Sequence, residues 1–161
     1  MPLLKPRRIV FLDLDGVLNN LEWLRERRRP EGIDTFDPRN ATALRWLVER
    51  CAPEIVISST WRTIYSMADL RGRLRQFAIA PVIGKTPDLS YKKTRTLTEM
   101  NRSDEIAAYM ATKRLELDQI VILDDDPLHA LLAVRQIQTS FTLGLTIDDA
   151  KRAVDLWETN A

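Results

Sequence analysis

The stretch "FLDLDGVLNN", residues 11–20, ends an apolar run with two aspartates one residue apart. Asp13 and Asp15 flank Leu14, and Gly16 follows. The preceding residues make 8–14, "RIVFLDL", a continuous β-branched-rich segment of the kind that forms a strand buried on both faces. Like charges at the end of such a strand are costly unless something uses them. A chemical use for these acids requires other strand ends to deliver matching groups to the same place.

Two further apolar runs do so. Residues 54–59, "EIVISS", read as a strand that ends in Ser58-Ser59-Thr60 and is followed by Trp61-Arg62. Residues 119–124, "QIVILD", read as a strand that ends in Asp124-Asp125-Asp126. A short strand near 81–84 and an edge strand in "RQIQTS", 135–140, bring the total to five. Helices are expected between them. One starts at Asp37-Pro38, an N-cap followed by proline in the first turn, and runs to about Cys51 before Pro53. Others are expected in "MADLRGRLRQF", in 103–115 with Ser103 at its start, and in 146–157 with Thr146 as N-cap and acids in the first turn. A short helix is expected in "NLEWLRERRR", ended by Pro30 and Gly32, and residues 85–101 read as loop or weak structure. Alternating strands and helices imply an α/β fold: a central, mainly parallel five-stranded sheet in a three-layer, Rossmann-like arrangement with helices on both faces. In such sheets ligands bind beyond the carboxyl ends of the strands. Up to five carboxylates would then crowd one crevice, where like charges repel unless a cation offsets them. Hard oxygen ligands suit Mg²⁺.

Bulk properties agree with a single globular domain spanning 1–161. The chain has 161 residues, 45% hydrophobic and 29% charged, with a net charge of +1. That charge gives no general attraction to nucleic acid. The single Cys51 excludes an internal disulfide and suits a reducing compartment. No apolar run approaches the roughly 18 residues of a membrane span. The start, "MPLLKPRR", lacks an apolar signal core, so a cytoplasmic location is expected.

Each motif alone is also common turn chemistry. The three together, each after an apolar strand and in this order, resemble the haloacid-dehalogenase-like phosphohydrolases. The first motif of that family, a strand ending in D-x-D-G, matches Asp13, Asp15 and Gly16. The second, a strand ending in Ser or Thr, matches Ser59, and the fourth, a strand ending in two acids, matches Asp124 and Asp125. Within the family, "FLDLDGVLNN", "VISSTWR", "VILDDD" and "LGLT" are most similar to small capless members, some of them related to phosphatase domains of nucleic-acid end-repair proteins.

The resemblance implies roles. Asp13 would attack phosphorus, and Asp15 would first protonate the leaving oxygen and then deprotonate water. Asp13, Asp125, Asp124 and the main-chain carbonyl of Asp15 would hold Mg²⁺. Ser59 would donate to a phosphoryl oxygen, with the Thr60 N–H nearby. Arg62 is placed to reach a substrate phosphate or to pair with a surface acid. The family's third motif is a Lys or Arg before the fourth strand; Arg102 stands first, with Lys85, Lys92 and Lys93 as alternatives. His129 is expected to be half-buried on a short helix, Trp61 to pack in the core or stack on a base, and Trp46 and Trp157 to be core.

Residues 17–36 leave room for a flap or minimal cap and no more. An open site admits a phosphorylated substrate such as a nucleotide or a nucleic-acid end. The flap carries "RERRR", 25–29, whose arginines suit phosphate recognition or a solvated face paired with Glu22, Glu26 and Glu31. Alternative readings are a phosphatase of another small phosphoester or a phosphoprotein, a phosphomutase or carbon–halogen hydrolase, and a catalytically silent binding module. Asp15 disfavours dehalogenation, and the missing cap disfavours the mutases.

Overall fold

The computed structural model describes residues 6–26, 36–90 and 102–159. Five parallel strands form one sheet in the order β3-β2-β1-β4-β5. They are β1 (Ile9–Leu12), β2 (Glu54–Ile57), β3 (Val82–Lys85), β4 (Ile120–Asp124) and β5 (Gln136–Gln138). The helices are α1 (Leu21–Arg25), α2 (Pro38–Cys51), α3 (Met67–Arg75), α4 (Arg102–Lys113), α5 (Ala130–Ala133) and α6 (Ile147–Glu158). The strand β1 is central and pairs with β2 on one side and β4 on the other. The three polar strand ends are therefore neighbours.

Period-2 alternation splits the strands between two cores. Val10, Leu12, Ile55, Ile57, Val121 and Leu123 face one layer, with Leu44 and Leu47 of α2, Leu70 and Leu74 of α3, and Ala153 and Trp157 of α6. Ile9, Phe11, Val56, Ile120 and Ile122 face the other, with Ile106 and Tyr109 of α4 and Leu132 of α5. All three strands β1, β2 and β4 are apolar on both faces, which is why they read as unbroken runs. Among the described residues no helix is long and apolar enough to cross a membrane.

The helix starts follow local chemistry. Asp37 caps α2 with its carboxylate on the Arg39 N–H, and Pro38 stands in the first turn. Thr146 and Asp149 form a reciprocal capping box at α6. At α4 the helix begins at Arg102, one residue before the expected Ser103. The Ser103 hydroxyl instead accepts the backbone N–H of His129, tying α4 to the loop after β4. His129 is exposed and precedes α5, so its expected half-burial is corrected.

Asp37 also anchors a buried polar knot. Its carboxylate accepts from Asn20 Nδ2 at 2.7 Å and from Arg39 Nη2 at 2.7 Å. Asn20 donates to Asn40 Oδ1, and Asn40 donates to the carbonyls of Leu143 and Leu145. The knot joins α1, α2 and the turn before α6. Of the flap expected over 17–36, the described part contributes only the five-residue α1, capped by Asn20. Arg27, Arg28 and Arg29 lie outside the described residues, as do Lys92 and Lys93.

Candidate active site

The site begins where β1 stops being a strand. The Asp13 N–H still joins the sheet by donating to the Leu123 carbonyl, but the Leu14 N–H turns back onto Asp13 Oδ1 at 2.9 Å. The chain then makes a tight turn, with Gly16 N–H donating to the Asn19 carbonyl and Gly16 at φ +77°. This turn needs glycine twice over. The dihedral lies in the left-handed region, and a Cβ would stand 2.3 Å from Cγ of Asp125. Asp125 is thus packed directly on the Gly16 backbone. Thr139, just after β5, fixes the other side of the turn by donating its hydroxyl to the Gly16 carbonyl at 2.7 Å.

Asp13, Asp124 and Asp125 converge, with one carboxylate oxygen of each within 4.8 Å of the others. Asp13 and Asp124 are buried. Among the described residues one cation faces them. Arg102 places a single nitrogen, Nη1, 2.9 Å from Asp13 Oδ2 and 2.7 Å from Asp124 Oδ2. The other oxygen of Asp124 accepts the Asp126 backbone N–H at 3.0 Å. Among the described residues three acids face one guanidinium; burial raises the proton affinity of each, and neighbouring acids add to the rise at Asp124 and Asp125. Burial raises Asp125 to about 6, with the charges of Asp13 and Asp126 adding to the rise. Burial and then the Asp13 charge push Asp124 upward as well. Burial also raises Asp13, although Arg102, the Leu14 N–H and the Ser59 hydroxyl oppose it. Burial would weaken the Arg102 cation, but its two acids outweigh this and hold it firmly charged.

A divalent cation fits this donor set. The ligands offered are hard carboxylate oxygens, which suit Mg²⁺ better than a soft metal. The excess negative charge is what such an ion would offset.

The other strand ends place the remaining candidates. Ser59 is fully buried beside Asp13, and its hydroxyl accepts the Trp61 backbone N–H at 3.3 Å. Thr60 opens a 3-10 turn, Thr60–Thr63, and is exposed. With Arg102, Thr63, Ser90 and Asp126 it lines a cleft of about 370 Å³ beside Arg102. The Asp15 carboxylate does not join the cluster. It is exposed, and Oδ2 accepts the indole N–H of Trp61 at 2.9 Å. Lys85 is exposed at the end of β3 and donates to the Arg62 carbonyl at 3.3 Å, while Arg102 occupies the position facing the acids.

Arg62 corrects the expectation of a substrate contact. It is buried, and its nitrogens donate to the carbonyls of Ser58, Ser59, Thr86 and Pro87. It also pairs with Glu105 of α4 at 2.6 Å. A guanidinium has five N–H donors, and this one spends them on the protein. Arg62 clamps the ends of β2 and β3 to α4. The alternative reading, a pairing with a surface acid, is closer to what is observed, although Glu105 is half-buried.

Sequence reasoning missed the supports. Gln136 donates to the carbonyls of Asp124 and Asp126, and Gln138 to that of Asp125. The alternation of these glutamines around the buried Ile137 was the available signal. Trp61 is half-buried between Phe36 and Tyr65, with ring centroids 5.8 and 5.3 Å away. It packs against the core as expected, but its N–H on Asp15 has no counterpart in sequence spacing.

Comparison with known proteins agrees with this architecture. A family model described as "HAD domain in Swiss Army Knife RNA repair proteins" matches residues 9–150. No curated protein matches the chain. The chain belongs to this HAD family.

Proposed function

We propose that this HAD domain is a Mg²⁺-dependent phosphomonoester hydrolase acting through an aspartyl-phosphate on a nucleotide or on a nucleic-acid 3′ or 5′ phosphate end. The observation that carries the reading is the bridge from Arg102 Nη1 to both Asp13 and Asp124. It orients Asp13 and presents a fixed positive charge to an incoming phosphoryl group. Family membership supports the phosphatase class, and the family's description as RNA repair proteins supports a nucleic-acid end as substrate. Among the described residues the segment after β1 adds only the short α1, which supports an open site, as does the cleft beside Arg102.

In this reading the Asp13 carboxylate forms a bond to phosphorus while the bond to the leaving oxygen breaks. Asp15 gives that oxygen a proton. A water then attacks the same phosphorus, passes a proton back to Asp15, and releases phosphate from Asp13. Asp13, Asp125 and the main-chain carbonyl of Asp15 would hold Mg²⁺, with Asp124 beside them. The ion supplies positive charge that lets two anionic groups approach. Arg102 and the Ser59 hydroxyl stabilise the phosphoryl oxygens. The lone Cys51 supports a reducing setting.

The test is phosphate release from an aryl phosphate, and then from 3′- and 5′-phosphorylated nucleotides and oligonucleotides, with and without Mg²⁺. Metal-dependent release that falls at least about a thousandfold in Asp13→Asn is expected. Metal-dependent release that survives Asp13→Asn would overturn the aspartyl-phosphate route. Mg²⁺ binding with no release from any substrate would favour the silent binding module.

A further inference from the structure

We propose that Trp61 is a positioning residue for Asp15: its indole N–H holds the acid–base carboxylate at the mouth of the site, ready for the leaving-group oxygen. The inference rests on the reading of Asp15 as the group that protonates the leaving oxygen.

Asp15 stands on an exposed turn, where a carboxylate without partners would rotate among solvated rotamers. General acid catalysis needs its oxygen within hydrogen-bond reach of one atom. Something rigid must therefore fix it. The Trp61 ring meets that need. It is wedged between Phe36 and Tyr65, and the Arg73 guanidinium lies 5.9 Å from its centroid. Its Nε1 sits 2.9 Å from Asp15 Oδ2, a well-formed bond. Asn19 Nδ2 approaches the other oxygen at 3.4 Å, a much looser contact. One carboxylate oxygen is thus tied, and the other remains the more available to a substrate.

The chemistry of the indole suits the task. Its N–H donates only and accepts no proton, so it orients Asp15 without competing for the proton that Asp15 must carry. The same residue also ties the acid to the phosphoryl-binding strand end, since its backbone N–H donates to Ser59 Oγ. A ring that served packing alone would have no need to turn its nitrogen to an exposed carboxylate.

The test separates orientation from packing. Trp61→Phe keeps an aromatic ring between Phe36 and Tyr65 and removes the N–H. The readout is kcat/KM in Mg²⁺ for two substrates: an alkyl phosphate, whose leaving oxygen needs a proton, and p-nitrophenyl phosphate, whose leaving group needs none. The expected result is a loss of about tenfold or more on the alkyl phosphate and little change on the aryl phosphate. Asp15→Asn should show the same selectivity, enlarged. An equal loss on both substrates, or no loss on either, would overturn the inference. The alkyl phosphate is the 3′- or 5′-phosphorylated nucleotide or oligonucleotide that wild type turns over; wild type inactive on all of these and on the aryl phosphate would overturn the parent reading, and is distinguished by that control. If Trp61→Phe does not fold, indole N–H resonances of the four tryptophans in wild type and Asp15→Asn decide the matter. One signal should move; four unmoved signals would overturn the inference.

Discussion

Two buried polar clusters in this fold solve opposite problems. At Asp37, a single carboxylate receives the side chains of Asn20 and Arg39 and the Arg39 backbone N–H. Burial works against its charge, but these donors outweigh it and hold Asp37 below its ordinary value. At Asp13, Asp124 and Asp125, three carboxylates converge, one guanidinium bridges two of them, and all three are raised. The first cluster is complete within the chain. The second gathers three acids that could hold a metal ion. Satisfied charge marks a structural joint, and unsatisfied charge marks a place where chemistry is done.

Arg102 is where the comparison breaks most severely. Arg102→Ala leaves the three acids with no cation among the described residues, and is expected to cost at least about a hundredfold in turnover. It should also cost about 2 kcal/mol of stability in chelator, because breaking a buried ion pair strands its partners. Steady-state assays and chemical denaturation read the two effects. Gly16→Ala comes next. Its Cβ would collide with the Asp125 carboxyl and its backbone would be strained at φ +77°. Divalent-cation affinity by calorimetry should fall about 10- to 100-fold, as when a ligand's support is lost.

A pair of neutral substitutions sharpens the contrast through its sign. Asp125→Asn should raise metal-free stability at pH 7.5 by about 1 kcal/mol, since the folded protein disfavours that charge. Asp37→Asn should lower stability by about 1 kcal/mol, since the fold favours that charge and uses it as an N-cap. Thermal melts of both variants in chelator test this, and shifts of the same sign would contradict it.

The pH dependence is the smallest effect and follows from the same shifts. Asp125 has a folded value of about 6 against an ordinary 3.8. Its contribution is fully present below its unfolded value and is lost as pH rises through about 6. Metal-free protein should therefore melt at lower temperature at pH 7 than at pH 5. Saturating Mg²⁺ should flatten that slope. The Asp37 contribution runs the other way. It is present above pH 3.8 and lost as pH falls through its lowered folded value.

The parts of this architecture carried by local pattern were legible in the sequence. β1, β2 and β4 are apolar on both faces, so their runs announced themselves, and the polar residues that ended them pointed to one edge of the sheet. The caps at Asp37 and Thr146 depend on a few adjacent residues, and both were readable. Boundaries ran long because backbone pairing and composition part company at strand ends: Asp13 still reads as strand, yet the Leu14 N–H already bonds its carboxylate. Fates decided by distant partners were not legible. Arg62 and Glu105 meet across 43 positions, and nothing local says that four carbonyls wait for that guanidinium. Trp61 and Asp15 are 46 positions apart, so a residue assigned to packing proves also to hold an acid.

The central claim is that the carboxylate cluster is incomplete without a divalent cation while the rest of the fold is complete without one. Thermal unfolding at pH 7.5, in chelator and in Mg²⁺, of wild type, Asp125→Asn and Asp37→Asn tests it most directly. The account predicts that Mg²⁺ raises the melting temperature of wild type and Asp37→Asn by similar amounts and leaves Asp125→Asn nearly unmoved. An equal rise in all three proteins, or none in wild type, would contradict it.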